Sequence, residues 1–168
     1  MKMDKQIASS GLFLSIDPGP TAQIGGTVST NCSGANAVRY GTMKDWTLNL
    51  TVVYTGGTII KTGIRSRKSA AGYNLNDLSV GLEGTLDLVT ETTLKLAVMP
   101  KEFSIAVVIF PTICDAASSL MKSGVAVAAV EVLDEVFMFV VNQTGCTAPR
   151  KWKEVSTLFF KFSEAKAS

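Results

Sequence analysis

Short runs of β-branched and aromatic residues, each closed by glycine, proline or another turn former, recur along this chain. That pattern limits the available folds more than any other feature. The runs fall at residues 12–16, 23–30, 37–40, 47–55, 59–67, 78–90, 93–99, 104–110, 125–133, 136–141 and 155–162. Asp17-Pro18-Gly19-Pro20, Ser33-Gly34, Gly56-Gly57, Pro100-Lys101 and Thr144-Gly145 stand between them as breakers. Helical periodicity is rare. The exception is residues 112–123, TICDAASSLMKS, which follow Pro111 and stop at Gly124, the order expected of one short helix. A parallel α/β sheet would need such a helix after most strands. The expected fold is therefore all-β, an antiparallel jelly-roll-like sandwich with one short helix near 112–123. At 168 residues one core suffices, so a single domain over 1–168 is expected, with a short N-terminal arm over about residues 1–20.

The clearest local unit is residues 46–68, WTLNLTVVYTGGTIIKTGIRSRK, two β-type runs around a double glycine. Leu48, Leu50, Val52 and Tyr54 alternate on one face of the first run, and Ile60 and Ile64 mark the same face of the second. A two-residue Gly56-Gly57 turn would mix the faces. A three-residue turn, Gly56-Gly57-Thr58, restores them by pairing Tyr54 with Ile60, Val52 with Thr62 and Leu50 with Ile64. The opposite face then carries Asn49, Thr51, Lys61, Arg65 and Arg67, continued by Lys68. Such a polar and basic ribbon has donors for phosphate oxygens and bases. An edge hairpin whose positive charge discourages unwanted pairing has the same composition. A second cluster, Arg150-Lys151-Trp152-Lys153, interleaves an aromatic with cations. Its tryptophan can stack on a base or pack on the edge of the sheet.

The chain contains no histidine, which removes Ser-His-Asp and Cys-His machinery, histidine general bases and histidine metal ligands. Neither GxxxxGK[ST] nor GxGxxG occurs, and the pairs Gly25-Gly26 and Gly56-Gly57 read as turns. The carboxylates Glu83, Asp87 and Glu91 are spread through strand-like segments and read as solvated surface. No enzyme, no cofactor and no metal is expected on these grounds. Three cysteines, Cys32, Cys114 and Cys146, are odd in number and far apart, as expected of free buried thiols. Hydrophobic residues make up 46% and charged ones 18%, the latter below the roughly 25% usual for soluble domains. No stretch offers the approximately 20 uninterrupted apolar residues of a membrane span, and the N-terminal apolar stretch is too short for a signal peptide. So apolar a chain hides its surface between subunits.

Residues 104–119, SIAVVIFPTICDAASS, pass from an apolar strand through Phe-Pro to small residues and a short helix. This segment resembles segments in the coat proteins of small positive-strand RNA viruses. The resemblance implies a self-assembling shell subunit, a homo-oligomer that packages RNA on the basic hairpin face and resides in the virion or host cytoplasm. The basic N-terminal arm of many such coats is missing. The alternative is a monomeric or small β-sandwich recognition module of adhesin type, cytoplasmic for want of a signal peptide. Particle size separates the two.

Overall fold

The computed structural model describes residues 6–19, 21–63, 70, 72–112, 114–115, 118–119, 122, 124 and 126–163. A 3-10 turn at Ala8–Ser10 leads into β1 (Leu12–Phe13). Three short helices follow, α1 (Ile24–Ser29), α2 (Ala37–Tyr40) and α3 (Met43–Trp46). Next come the hairpin strands β2 (Thr47–Tyr54) and β3 (Ile59–Lys61), then α4 (Leu75–Ser79), β4 (Asp87–Leu94) and β5 (Ala97–Val98). The remainder forms β6 (Phe103–Ile109), β7 (Ala129–Leu133), α5 (Glu135–Thr144) and β8 (Thr157–Ser163). Within 112–123 the described residues Cys114, Asp115, Ser118, Ser119 and Lys122 are helical. The chain folds as two compact units, residues 1–99 and 100–168.

This is a mixed α/β architecture, and it overturns the all-β jelly roll. A jelly roll packs two sheets of four strands, whereas these strands form a pair β1-β5, a triplet β3-β2-β4 and a triplet β6-β8-β7. Four segments read as strands contain helix instead, for local reasons that β-propensity hides. Residues 23–30 contain α1, which buries Val28 completely and whose Thr27 hydroxyl bonds back to the Ile24 carbonyl at 2.8 Å. Residues 37–40 form α2. The run 78–90 opens inside α4, whose N-cap Asn74 accepts from the Asp77 amide. Residues 136–141 lie in α5, started by the Asp134 carboxylate, which accepts from the Phe137 amide at 2.7 Å. Gly145 ends α5 in the left-handed region, φ 65°, as a Schellman-type stop requires.

In the first unit, Leu50 and Val52 from β2 are fully buried against Leu14, Ile16, Val28, Met43 and Val80. The hairpin closes through a three-residue loop, but the loop is Thr55-Gly56-Gly57. The Tyr54 amide donates to the Thr58 carbonyl at 2.9 Å, and Gly57 takes the left-handed position at φ 79°. Register is thus shifted by two from expectation, with Val52 opposite Ile60 and Thr51 opposite Lys61. A shift of two keeps Ile60 on the face of Val52 and Lys61 on that of Thr51, as expected. In the second unit β8 is central, with Leu158 fully buried, and α5 adds the buried Met138. Among the described residues no helix is long and apolar enough to cross a membrane.

Candidate functional site

The residues between β1 and β2 gather unusual backbone geometry. Leu14, Ser15 and Ile16 are all buried, and the Asn36 amide holds this segment by donating to the Ser15 carbonyl at 3.1 Å. Gly34 lies so close to Asp17 that any Cβ would overlap the Asp17 carboxylate. Gly41 has φ 75°, and a Cβ there would overlap Asp45. The Asp45 carboxylate is fixed, since it accepts from the Thr42 amide at 2.8 Å and closes a capping box at the start of α3. Asn31 takes the left-handed region at φ 47° and accepts from the Lys44 amide at 2.9 Å. These contacts tie the loops around α1 into one fixed frame.

Within that frame two features have no internal partner. The hydroxyl of Ser15 is wholly buried and makes no hydrogen bond. Gly25 and Gly26 occupy the first turn of α1, where each glycine costs about 1 kcal/mol relative to alanine. Neither has positive φ, and a Cβ on either would meet nothing within 4 Å. Crowding explains Gly34 and Gly41, but not these two. The N-cap Gln23 gives no side-chain cap, so the first amides of α1 have no partner within the helix. Missing side chains, open amides and a buried free hydroxyl suit the close approach of a large polar group to the main chain.

A buried carboxylate lies near the far end of α1. Asp87 begins β4 and is 4% exposed. Its Oδ2 accepts from the Ser79 hydroxyl at 2.8 Å, while Oδ1 has no partner. The loop before it is fastened to α1 by the Gly81 amide on the Val28 carbonyl and the Glu83 amide on the Ser29 carbonyl, both 3.1 Å. Asp87 was expected on the solvated surface, and the structure corrects that. Among the described residues no group of three or more Cys, Asp or Glu side chains could hold a metal ion.

Of the basic ribbon, Asn49, Thr51 and Lys61 lie within the described residues. Asn49 is buried rather than on an open face, because register shifts between Thr47 and Asn49, and again between Thr51 and Val52, interrupt the alternation of β2. Thr51 is half-buried, and its hydroxyl donates to Glu91 at 2.8 Å. Lys61 is exposed. Arg65, Arg67 and Lys68 lie outside the described residues, as does Ile64. In the second unit Arg150 stacks over Trp152 at 3.8 Å, and Trp152 meets Phe159 edge-on at 5.3 Å. Trp152 is half-buried while Lys151 and Lys153 are exposed. All three cysteines are unpaired, but Cys114 and Cys146 are exposed and Cys32 half-buried, not buried as expected.

Sequence reasoning missed Ser15, Gly25, Gly26, Gly34, Asn36, Ser79 and Asp87. The available signal over 17–36 is the density of glycine and small polar residues, which also fits breakers on either side of a strand at 23–30.

The FAD binding domain family matches residues 1–63. The mitochondrial D-lactate dehydrogenase (cytochrome) of Kluyveromyces lactis is 48% identical over 163 residues, 95% of this chain and 28% of that protein. D-lactate dehydrogenase (cytochrome) 1 of Saccharomyces cerevisiae is 51% identical over 162 residues, again 95% and 28%. Glycolate oxidase subunit GlcD of Bacillus subtilis is 34% identical over 147 residues, 84% of this chain and 31% of that one. A solved alkyldihydroxyacetonephosphate synthase superposes with a TM-score of 0.72 at 23% identity, covering 98% of this chain and 33% of its own. The chain therefore spans under a third of the length of these relatives.

These likenesses overturn the coat-protein expectation, and with it the shell subunit and its virion location. The adhesin-type alternative falls as well. The relatives are enzymes by name, which also corrects the expectation of a non-catalytic chain. The absence of histidine removes only imidazole chemistry, and in redox enzymes the cofactor carries its own.

Proposed function

We propose that this chain is the flavin-holding part of an FAD-dependent oxidoreductase acting on a small 2-hydroxy acid of the D-lactate kind. One coincidence carries the reading. The stretch matched by the FAD binding domain family contains Ser15, Gly25 and Gly26, where the chain leaves a buried hydroxyl and open main chain without internal partners. The D-lactate dehydrogenase names of the relatives supply the substrate class.

Bound FAD would supply a two-electron acceptor for oxidation of the hydroxy acid. The chain's own residues do the holding. Gly25 and Gly26 let the group approach the first turn of α1, whose free amides suit its phosphate oxygens. The Ser15 hydroxyl offers one directed hydrogen bond. Asn36 and Asp17 with Gly34 fix the loop that carries Ser15. The buried cluster of Leu14, Ile16, Val28 and Met43 excludes water behind it. These 168 residues contain no imidazole, so a histidine base for the hydroxyl proton is not among them. Residence in mitochondria is part of the proposal, taken from the names of the yeast relatives.

The test is to load the purified chain with FAD, desalt it and measure retained flavin, then add D-lactate without oxygen. Retained flavin whose visible absorbance bleaches with D-lactate and not L-lactate supports the reading. A chain that keeps no flavin overturns it. Retained flavin that ignores D-lactate and glycolate leaves the flavin-holding reading intact, since the chain spans under a third of the length of its relatives.

A further inference from the structure

Asp87 is the one buried residue between Glu83 and Leu88, a run otherwise open to solvent. Its neighbours Leu86 and Leu88 are 49% and 64% exposed. The core has not enclosed this carboxylate in passing, because the chain turns one side chain inward from an exposed loop and strand end. Ser79, at the end of α4, satisfies one oxygen and leaves the other bare. A buried carboxylate with a free lone-pair oxygen is unfavourable in the protein by itself, since lost hydration is not replaced. Buried polar groups almost always have partners. Ser15 Oγ and Asp87 Oδ1 are the two such orphaned atoms among the described residues. Both belong to the first unit, and the segment carrying Asp87 is hydrogen-bonded to the helix whose first turn is the open glycine pair.

We propose that Asp87 Oδ1, braced by Ser79, accepts a hydrogen bond from an O–H or N–H donor of the bound flavin nucleotide. This rests on the flavin-binding reading above and adds a specific acceptor to it. The carboxylate can only accept, so the matching ligand group must be a hydroxyl, an amine or a ring N–H, never a phosphate oxygen. Ser79 is a positioning residue, because its hydroxyl occupies Oδ2 and leaves Oδ1 as the free acceptor.

The test compares FAD titrations, read by flavin fluorescence, with thermal melting of the flavin-free full chain for wild type and Asp87→Ala. FAD affinity should fall roughly tenfold to a hundredfold in the variant. The melting temperature of the flavin-free variant should stay close to that of wild type, since the unsatisfied Oδ1 is removed together with the Ser79–Oδ2 hydrogen bond. Equal FAD affinity in the two proteins means that Oδ1 meets only a buried water, and overturns the proposal. Lowered flavin-free stability with unchanged affinity means a purely structural role, and overturns it too. Should Asp87→Ala not fold, Asp87→Asn keeps the shape and an acceptor for Ser79 while placing an amide donor against the ligand's donor. The same loss of affinity is then expected, and its absence refutes the assignment. Wild type that binds no FAD brings down the flavin reading and this proposal together. Wild type that binds FAD beside an indifferent Asp87 variant brings down this proposal only.

Discussion

The two units handle apolar surface in opposite ways. In the first, the hairpin, α1 and the loops before α2 wrap Leu14, Ile16, Val28, Met43, Leu50, Val52 and Val80 into one enclosed cluster. The exposed apolar side chains of that unit, such as Tyr73 and Val98, are spread through loops and strand ends, which is ordinary for a folded surface. In the second unit, β6 is an edge strand with no charged residue or proline, and Phe103, Ile105 and Ile109 are 61%, 66% and 51% exposed along it. These residues and Val107 alternate onto one face. On α5, Val136, Phe137, Phe139 and Val140 are also exposed, and Met138 alone is fully buried. High hydrophobic content therefore has two meanings in one chain. It builds a closed core in the first unit, and it leaves an uncovered sheet face in the second.

The largest expected effect is in the closed core. Leu50→Ala should destabilise the chain by about 2–5 kcal/mol, because a fully buried leucine leaves a cavity that rigid neighbours cannot fill. Chemical denaturation checks this. Leu158→Ala in the second unit should cost less than Leu50→Ala, since its surroundings are more open and can relax. Equal costs would break the contrast between the units.

A smaller pair of changes sets one glycine against another. Gly34→Ala should cost about 1–3 kcal/mol, because its Cβ has no space beside Asp17. Gly25→Ala should raise the stability of the flavin-free chain by roughly 0.5–1 kcal/mol through helix propensity, while weakening FAD retention. Melting curves and flavin content together give the result. A Gly25→Ala protein that is both more stable and fully loaded would show that nothing approaches α1 at that turn.

Replacing the Asp134 cap with alanine should cost about 1 kcal/mol, by freeing the Phe137 amide at the start of α5. That cap also shows where the sequence was legible. Asp134 and Gly145 frame α5 with ordinary start and stop signals. Yet EVFMFVVNQT is apolar on several sides, so the 3.6-residue period was masked and the β-branched run read as a strand. The hairpin was legible because alternation over β2 survives at Leu50 and Val52. Its register was not, because either two glycines followed by threonine or threonine followed by two glycines gives a three-residue loop, and only the left-handed Gly57 decides. Asn49 was misplaced because bulges leave no mark in a residue pattern. The site was least legible. Gly25-Gly26 looks the same in a turn as in a helix start, and Ser15 and Asp87 become notable only when their burial and missing partners are seen.

The smallest expected effect on stability tests the uncovered face directly. Ile105→Thr on β6 keeps a β-branched residue, so strand preference is nearly unchanged. The side chain is 66% exposed, and Lys161 on β8 stands opposite it, so little packing is lost. The melting temperature should stay within the change expected from about 0.5 kcal/mol. Solubility should change far more than stability, since an edge strand bearing a row of exposed apolar residues is a template for unwanted pairing. Light scattering at rising concentration should therefore show less association for Ile105→Thr than for wild type. The same threonine at Leu50 would lose the core and associate more, because unfolding exposes further apolar surface. If Ile105→Thr instead melts well below wild type, Ile105 is packed in solution and the second unit is closed like the first.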